Sequence, residues 1–162
     1  MIQLDPTATV SPLADLEDSQ RGTRLIIGAG VIIDAFVKIK PAGGSGDVII
    51  GAGSVINSGC VLYSGNGIII GQQVAIAANC TLAPVNHAYQ DRTRPIMQQG
   101  FLPSRGGIVI EDDVWIGANC VLLDGAILRQ GCVIGAGSIV RGEVPAYAIA
   151  HGQPAMVKGY RS

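Results

Sequence analysis

A period of six residues runs through this chain and restricts it to a small group of folds. From Ile110 to Pro145 the chain divides into six consecutive hexads, IEDDVW, IGANCV, LLDGAI, LRQGCV, IGAGSI and VRGEVP. The first position is always Ile, Leu or Val, and the fifth is always Val, Cys, Ala or Ser. This period fits neither the helix period of about 3.6 residues nor the alternation of a plain strand. The repeating unit is therefore a short strand followed by a turn, which predicts a parallel β-helix.

The hexads begin in the first coil and are broken at three places, residues 18–25, 41–47 and 88–107. The last of these, AYQDRTRPIMQQGFLPSRGG, is the longest, and a loop of such length in a compact fold is usually functional or disordered. Its Tyr, Arg, Met and Phe residues are not the composition of disorder. We therefore expect one all-β solenoid domain over residues 1–162, with an inserted loop at 88–107 and a capping segment at 146–162 that covers the open end.

The composition limits the kinds of partner that the chain is expected to bind. Hydrophobic residues make up 48% of it and aromatic residues only 4%, which suits a narrow aliphatic interior. The net charge is -1 without a run of Lys or Arg, so neither a nucleic-acid footprint nor a polybasic membrane anchor is expected. No apolar stretch reaches the length of a membrane span or of a signal peptide. We expect a cytoplasmic protein without membrane insertion.

The four cysteines occupy one position of the repeat. Cys60, Cys80, Cys120 and Cys132 each stand fifth in a hexad, where a thiol acts as a small buried hydrophobe. The sequence has neither a C-x-x-C pair nor the dense cysteines of a small secreted scaffold. We therefore expect structural thiols and no metal site.

The better catalytic candidate of the two histidines is His87. It follows Asn86 at the point where the last regular hexad passes into the long loop, so a rigid scaffold would hold it beside a pocket-forming segment. A side chain with a pKa near 6.5 suits proton transfer at neutral pH. His151 lies in the capping tail, where we expect no catalytic role.

These residues together carry a family resemblance. Asn86-His87, the long loop, IEDDVWIGANCV from Ile110, IGAGSIV from Ile134 and HGQPAMV from His151 resemble the hexapeptide-repeat acyltransferases. Within that family the pattern is most similar to the small sugar O-acetyltransferases of the maltose, galactoside and surface-polysaccharide type. The resemblance implies a left-handed β-helix, a homotrimer with sites between subunits, acetyl-CoA as acyl donor and a sugar hydroxyl as acceptor, with no metal.

The resemblance also implies roles for individual residues. His87, in the pair with Asn86, would be the general base, and the N–H of Ala118 would face the thioester oxygen. The remaining residues would bind the cofactor: Trp115, Gly117 and the backbone near Ala136 at the pantetheine, and Arg141, Lys158 or Arg161 at the phosphates of CoA. Trp115 could instead pack beneath the loop, and the basic residues could form a solvated face.

Other readings remain open on the sequence alone. The same base and thioester would serve an N-acyltransferase that acts on a nucleotide-linked amino sugar, and stacked hexads could also form a non-catalytic scaffold or binding protein. A γ-type carbonic anhydrase would need three metal-binding histidines, and the chain has two. A serine acetyltransferase would carry a helical domain before the repeats, whereas here the repeats start by Leu4.

Overall fold

The computed structural model describes residues 1–162, and its regular structure consists of short strands, parallel except for the last pair, and one short 3₁₀ helix. In chain order the strands are β1 (Ile2–Leu4), β2 (Thr9–Val10), β3 (Asp15–Leu16), β4 (Leu25–Ile27), β5 (Ile32–Ile33), β6 (Lys38–Lys40), β7 (Val48–Ile50), β8 (Val55–Ile56), β9 (Val61–Tyr63), β10 (Ile68–Ile70), β11 (Ala75–Ile76), β12 (Thr81–Ala83), β13 (Ile108–Ile110), β14 (Trp115–Ile116), β15 (Val121–Leu123), β16 (Ile127–Leu128), β17 (Val133–Ile134), β18 (Ile139–Val140), β19 (Glu143–Val144), β20 (Ala148–Gly152) and β21 (Ala155–Tyr160).

Every third strand joins the same sheet, so the chain winds around a three-sided prism. Sheet A has the order β1-β4-β7-β10-β13-β16-β19, sheet B the order β2-β5-β8-β11-β14-β17-β20-β21, and sheet C the order β18-β15-β12-β9-β6-β3. The coils stack as in a left-handed parallel β-helix, so the predicted fold class is confirmed. We call the prism edge between sheets B and C the B/C edge, and the edge from sheet C to the next strand of sheet A the C/A edge.

The hexad frame explains the core. The aliphatic first positions stack in register from coil to coil, as in the column Ile50, Ile70 and Ile110 of sheet A. Each of these three side chains is 1% exposed. Together with the small fifth positions they form one continuous hydrophobic cluster of 31 residues. Burial of this column supplies the main stabilisation of the solenoid.

Close stacking of the coils requires glycine at the second position of some hexads. At Gly117 a Cβ would lie 2.6 Å from the backbone nitrogen of Ala136 in the next coil, and at Gly135 it would lie 2.8 Å from the Cβ of His151. Any other residue would push the neighbouring coil away. Gly117 is therefore a structural requirement of the corner that carries Ala118.

Every long departure from the repeat leaves the prism at the C/A edge. Residues 17–24, 41–47 and 84–107 each connect a strand of sheet C to the next strand of sheet A. The longest of them includes the predicted loop and contains one short 3₁₀ helix, Ile96–Gln98. No helix of the structure is long and apolar enough to cross a bilayer.

The C-terminal tail is more regular than the sequence indicated. We expected residues 146–162 to form a capping segment outside the repeat, but β20 continues sheet B, with Ile149 and Ala150 paired to Val133 and Ile134. β21 then turns back antiparallel to β20 at the edge of that sheet. The hairpin covers one edge of the last coil, and Ala148 and Ala150 are fully buried beneath it.

Candidate active site

His87 is fixed at the base of the long loop. After β12 ends at Ala83, the chain leaves the prism, and a single antiparallel bridge joins His87 to Phe101. The N–H of Ala88 donates to the carbonyl of Gly100 at 3.0 Å, and the N–H of Leu102 donates to the carbonyl of Asn86 at 2.8 Å. These backbone hydrogen bonds join the two ends of the loop. They fix the backbone of His87, although this residue lies outside the coil.

The imidazole of His87 is exposed to solvent and lies against Phe101. Its ring centroid lies 4.8 Å from that of Phe101, with the planes tilted by 45°. Neither ring nitrogen has a hydrogen-bond partner within the chain, and the side-chain amide of Asn86 has none either. Phe101 therefore limits the orientation of His87 through contact alone, and both ring nitrogens remain available to a substrate.

A pocket of about 290 Å³ opens beside this ring. It is lined by Ala42, Gly43, Tyr63, Val85, His87, Met97 and Phe101, and it contains no charged side chain. Its floor includes Ala42 and Gly43 of the short loop 41–47, for which we predicted no function from the sequence. Gly43 adopts a φ of +78°, and a Cβ there would approach a methyl carbon of Val85 to 2.7 Å.

The far end of the loop is held by Asp124, a residue that sequence reasoning missed. Its carboxylate is 1% exposed and accepts hydrogen bonds from the N–H groups of Arg105 at 2.8 Å and Gly107 at 2.9 Å. It also accepts one from the side-chain amide of Asn66 at 3.1 Å. The sequence does contain a sign of this role, because Asp124 is an acidic residue at the third position of the hexad LLDGAI. A carboxylate that is buried there needs hydrogen-bond donors.

A second set of chemical groups lies at the B/C edge. The N–H groups of Ala118 and Ala136 have no hydrogen-bond partner in the chain, whereas the carbonyl of Ala118 accepts from the N–H of Gly137 at 2.8 Å. The N–H of Ala78, one coil earlier, is also unpaired. Sequence reasoning missed Ala78, although IAAN at 76–79 matches IGAN at 116–119. Free backbone donors along one edge suit a ligand with amide and carbonyl oxygens.

Trp115 and Arg161 lie together on the outer face of sheet B. Trp115 is 54% exposed, and with Arg161, Gln73, Asp113 and Val133 it borders a cavity of about 360 Å³. The guanidinium of Arg161 donates to Asp113 at 3.0 Å and to the carbonyl of Gly131 at 3.0 Å. No residue of the loop 88–107 of the same chain borders this cavity.

The other two basic candidates lie elsewhere. Arg141 follows β18 and borders a cavity with Ile139 and Pro154 near the last coil, and Lys158 is exposed on β21. Neither forms an ion pair. The structure thus brings Arg161 to Trp115 but leaves Arg141 and Lys158 at separate positions on the C-terminal end of the solenoid.

His87 and Ala118 are not brought together within one chain. His87 lies on the C/A edge among residues of the preceding coils, and Ala118 lies on the B/C edge. Sheet C separates the two edges, and its strand β15, Val121–Leu123, runs between them. One copy of the chain therefore presents these two sets of groups on two different edges of the prism.

The repeat itself matches a known family. The model described as bacterial transferase hexapeptide (six repeats) matches residues 107–142, which cover β13 to β18. That region carries Trp115, Gly117, Ala118, Ala136 and Arg141.

Similar proteins have related names. A probable acetyltransferase of Mycobacterium tuberculosis is 38% identical over 68% of this chain and 34% of its own length. A putative lipopolysaccharide biosynthesis O-acetyl transferase of Escherichia coli is 28% identical over 84% of this chain and 68% of its own. The chain therefore spans between about a third and about two thirds of these two relatives.

A solved structure agrees over most of the fold. The hexapeptide-repeat-containing acetyltransferase of Vibrio cholerae, complexed with acetyl-CoA, is 27% identical to this chain with a TM-score of 0.71. The match covers 83% of this chain and 70% of that one. The chain therefore carries the bacterial transferase hexapeptide repeat over residues 107–142, and its sequence and fold are similar to those of hexapeptide-repeat acetyltransferases.

Proposed function

We propose that the protein transfers the acetyl group of acetyl-CoA to a hydroxyl of a sugar acceptor. The acceptor oxygen attacks the thioester carbonyl carbon while His87 takes the proton of the hydroxyl. The carbon–sulfur bond then breaks, and the thiolate of CoA leaves with that proton. The names of the relatives support this reaction class, and the whole of residues 1–162 would act as one solenoid domain.

One observation carries the proposal: a histidine with two unpaired ring nitrogens faces a pocket, while the same fold exposes unpaired backbone N–H groups at Ala118 and Ala136. A positioned base contributes typically 100- to 10,000-fold in rate, or about 3 to 5 kcal/mol. A fixed N–H that faces the developing oxyanion stabilises the transition state more than the ground state. A scaffold protein would require neither feature.

We infer that the site is completed between copies of the chain in a homotrimer. Because His87 and Ala118 lie on different edges of the prism, one copy cannot present both to the same thioester. A head-to-tail arrangement with three-fold symmetry would bring His87 of one copy to Ala118 of the next. Such a ring closes on itself and contains three equivalent sites.

The outer surface offers an apolar face for this assembly. Ile26, Ile49, Ile69, Val109 and Ile127 follow one another in register on the outside of sheet A, and we call them the sheet A stripe. Ile69 in its centre is 50% exposed. A contiguous aliphatic stripe on a soluble domain favours burial against another surface. Tyr89 and Ile96, at 60% and 52% exposure on the long loop, extend the apolar surface near His87.

The cofactor would lie along the B/C edge. The unpaired N–H groups of Ala118 and Ala136 suit the amide oxygens of pantetheine, and the exposed ring of Trp115 provides an apolar wall. Arg161 is already paired with Asp113, whereas Arg141 and Lys158 are free cations for the phosphates. We place the reaction in the cytoplasm, which the four unpaired cysteines fit.

The decisive experiment is a comparison of His87→Ala with His151→Ala. We expect His87→Ala to lower turnover by about 100- to 10,000-fold, because it removes the base. CoA affinity in a calorimetric titration and the oligomeric state should remain as in the wild type. His151→Ala is the matched control on the same solenoid and should change turnover little. Near-normal turnover of His87→Ala would refute the assignment.

A further inference from the structure

The pocket beside His87 is unusually poor in polar partners for a sugar site. Four of its side chains are apolar: Ala42, Val85, Met97 and Phe101. The only polar side-chain groups are the ring of His87 and the hydroxyl of Tyr63, neither of which has a partner in the chain. If His87 accepts the reacting hydroxyl, one further hydroxyl of the acceptor can bond to Tyr63.

Two of the apolar wall residues, Val85 and Phe101, are held in place by contacts within the fold. Val85 rests against Gly43, where even a Cβ would collide, so the floor cannot be replaced by a polar side chain without moving the loop 41–47. Phe101 is fixed by its backbone bridge to His87. Met97 at the rim is 81% exposed, so this residue can be substituted without disturbing the packing of the fold.

A hydroxyl placed against such walls loses its hydrogen bonds to water without replacement, which is unfavourable. A methyl group in the same position gains from apolar burial instead. A pocket volume of about 290 Å³ is at the low end for ligand sites and has room for a single sugar ring. The chemistry of the walls therefore distinguishes between sugars that differ by one hydroxyl.

We propose that the acceptor is a deoxysugar, whose deoxygenated edge packs against Val85, Met97 and Phe101 while the neighbouring hydroxyl faces His87. For a 6-deoxyhexose this places the C6 methyl group in the apolar pocket and directs the acetyl group to O4, the hydroxyl beside it. This inference rests on the proposed acetyl transfer at His87. It adds the class of acceptor, which neither the repeat nor the base determines.

Matched pairs of sugars test the inference directly. The methyl glycosides of D-fucose and D-galactose, of D-quinovose and D-glucose, and of L-rhamnose and L-mannose differ only in the hydroxyl at C6. In at least one pair we expect kcat/KM with acetyl-CoA to favour the 6-deoxy sugar by about 10- to 100-fold, the usual range for one group in an apolar pocket. Product analysis by NMR should find the acetyl group on O4.

Met97 provides a matched pair of variants. Met97→Gln has similar length but adds an amide that can bond to a C6 hydroxyl, so the preference for the 6-deoxy sugar should shrink several-fold. Met97→Leu keeps the wall apolar and should keep the preference. Because Met97 is exposed, neither change should affect folding.

The possible failures can be told apart. Equal rates within every pair, or transfer to the C6 hydroxyl of the parent hexoses, would overturn the deoxysugar inference and leave acetyl transfer intact. An unchanged preference in Met97→Gln would exclude this pocket as its source. Absence of acetylation for all six sugars would count against the proposed function itself, and the inference would fall with it.

Discussion

Three thiols form a ladder through the core at the level of single residues. The Sγ of Cys60 donates to the carbonyl of Ala77 at 3.1 Å, that of Cys80 to Gly117 at 3.2 Å and that of Cys120 to Gly135 at 3.2 Å. Each bond reaches into the next coil. The fifth position thus uses cysteine both as a small hydrophobe and as a weak donor, which ties neighbouring coils together.

We predict that all four thiols react slowly with an aromatic disulfide reagent at pH 8. Each is fully buried, and burial raises the pKa of Cys132 to about 11. The hydrogen bond with the Cys80 thiol lowers the pKa of Cys60, but Cys60 is as deeply buried as the other three thiols. Absorbance of the released thiolate measures the rate, and the urea-unfolded chain is the control. One rapidly labelled thiol in the folded protein would contradict the burial.

The raised pKa of Cys132 makes the free energy of unfolding depend on pH. Because the pKa of Cys132 is higher in the folded chain than in the unfolded chain, the unfolded chain loses the proton first as pH rises. The contribution of Cys132 to the free energy of unfolding is therefore present below its ordinary pKa and is lost as pH approaches about 11.

Burial of the cysteines could be predicted because the hexad phase fixes the direction of every side chain. The partners of Asp124 and the walls of the His87 pocket could not. Asp124 joins Asn66 to Arg105, and the pocket joins Ala42 to Phe101, so each depends on how loops of different coils meet. A local period contains no information about such contacts.

At the level of elements, the long loop is a structured unit with its own bonds. The carboxylate of Asp91 accepts from both the N–H and the hydroxyl of Thr93, at 2.9 and 2.6 Å. The side-chain amide of Gln99 donates to the carbonyls of Asp91 and Arg94, at 2.8 and 2.9 Å. The loop is therefore ordered internally, and only its two ends tie it to the prism.

We predict that Asp124→Ala loosens this element. The change leaves the N–H groups of Arg105 and Gly107 without acceptors, which costs about 1 to 3 kcal/mol for a buried group. Urea denaturation should show the loss, and limited proteolysis should cut within residues 88–107 faster than in the wild type. Asp124→Asn retains one acceptor oxygen and should lie between the two. Equal cleavage of all three proteins would exclude Asp124 as the anchor.

Strands within the hexads were predictable as elements, but the terminal hairpin was not. β20 carries Ala148 at the small fifth position of the repeat and Ala150 at the first position, where the repeat would have Ile, Leu or Val. Small residues fit there because β21 folds back over the last coil. The hexad pattern is therefore weak in the terminal segment, because β21 rather than a further coil packs there.

At the level of the whole molecule, we predict that the chain forms the proposed trimer and that this trimer depends on the sheet A stripe. Ile69→Asp would bury an unpaired carboxylate at each interface, at a cost of about 3 kcal/mol or more. Light scattering should report three times the chain mass for the wild type and a lower mass for the variant at equal concentration. Gln3→Asp changes the same outward column at its polar end and should leave the mass unchanged. A trimeric Ile69→Asp protein would place the interface on other faces.

The C/A edge tolerates changes in chain length that the B/C edge does not. Across the longest insertion Ile68 still pairs with Ile108 in the register of a plain coil, so added length at this edge leaves the ladder undisturbed. The unpaired amides of the B/C edge lie on corners of fixed length and cannot vary in this way. If the proposed function holds, loop changes at the C/A edge alter the acceptor site while the donor contacts at the B/C edge stay the same. Exchange of segments 41–47 and 84–107 between two such solenoids is then a direct route to new acceptors.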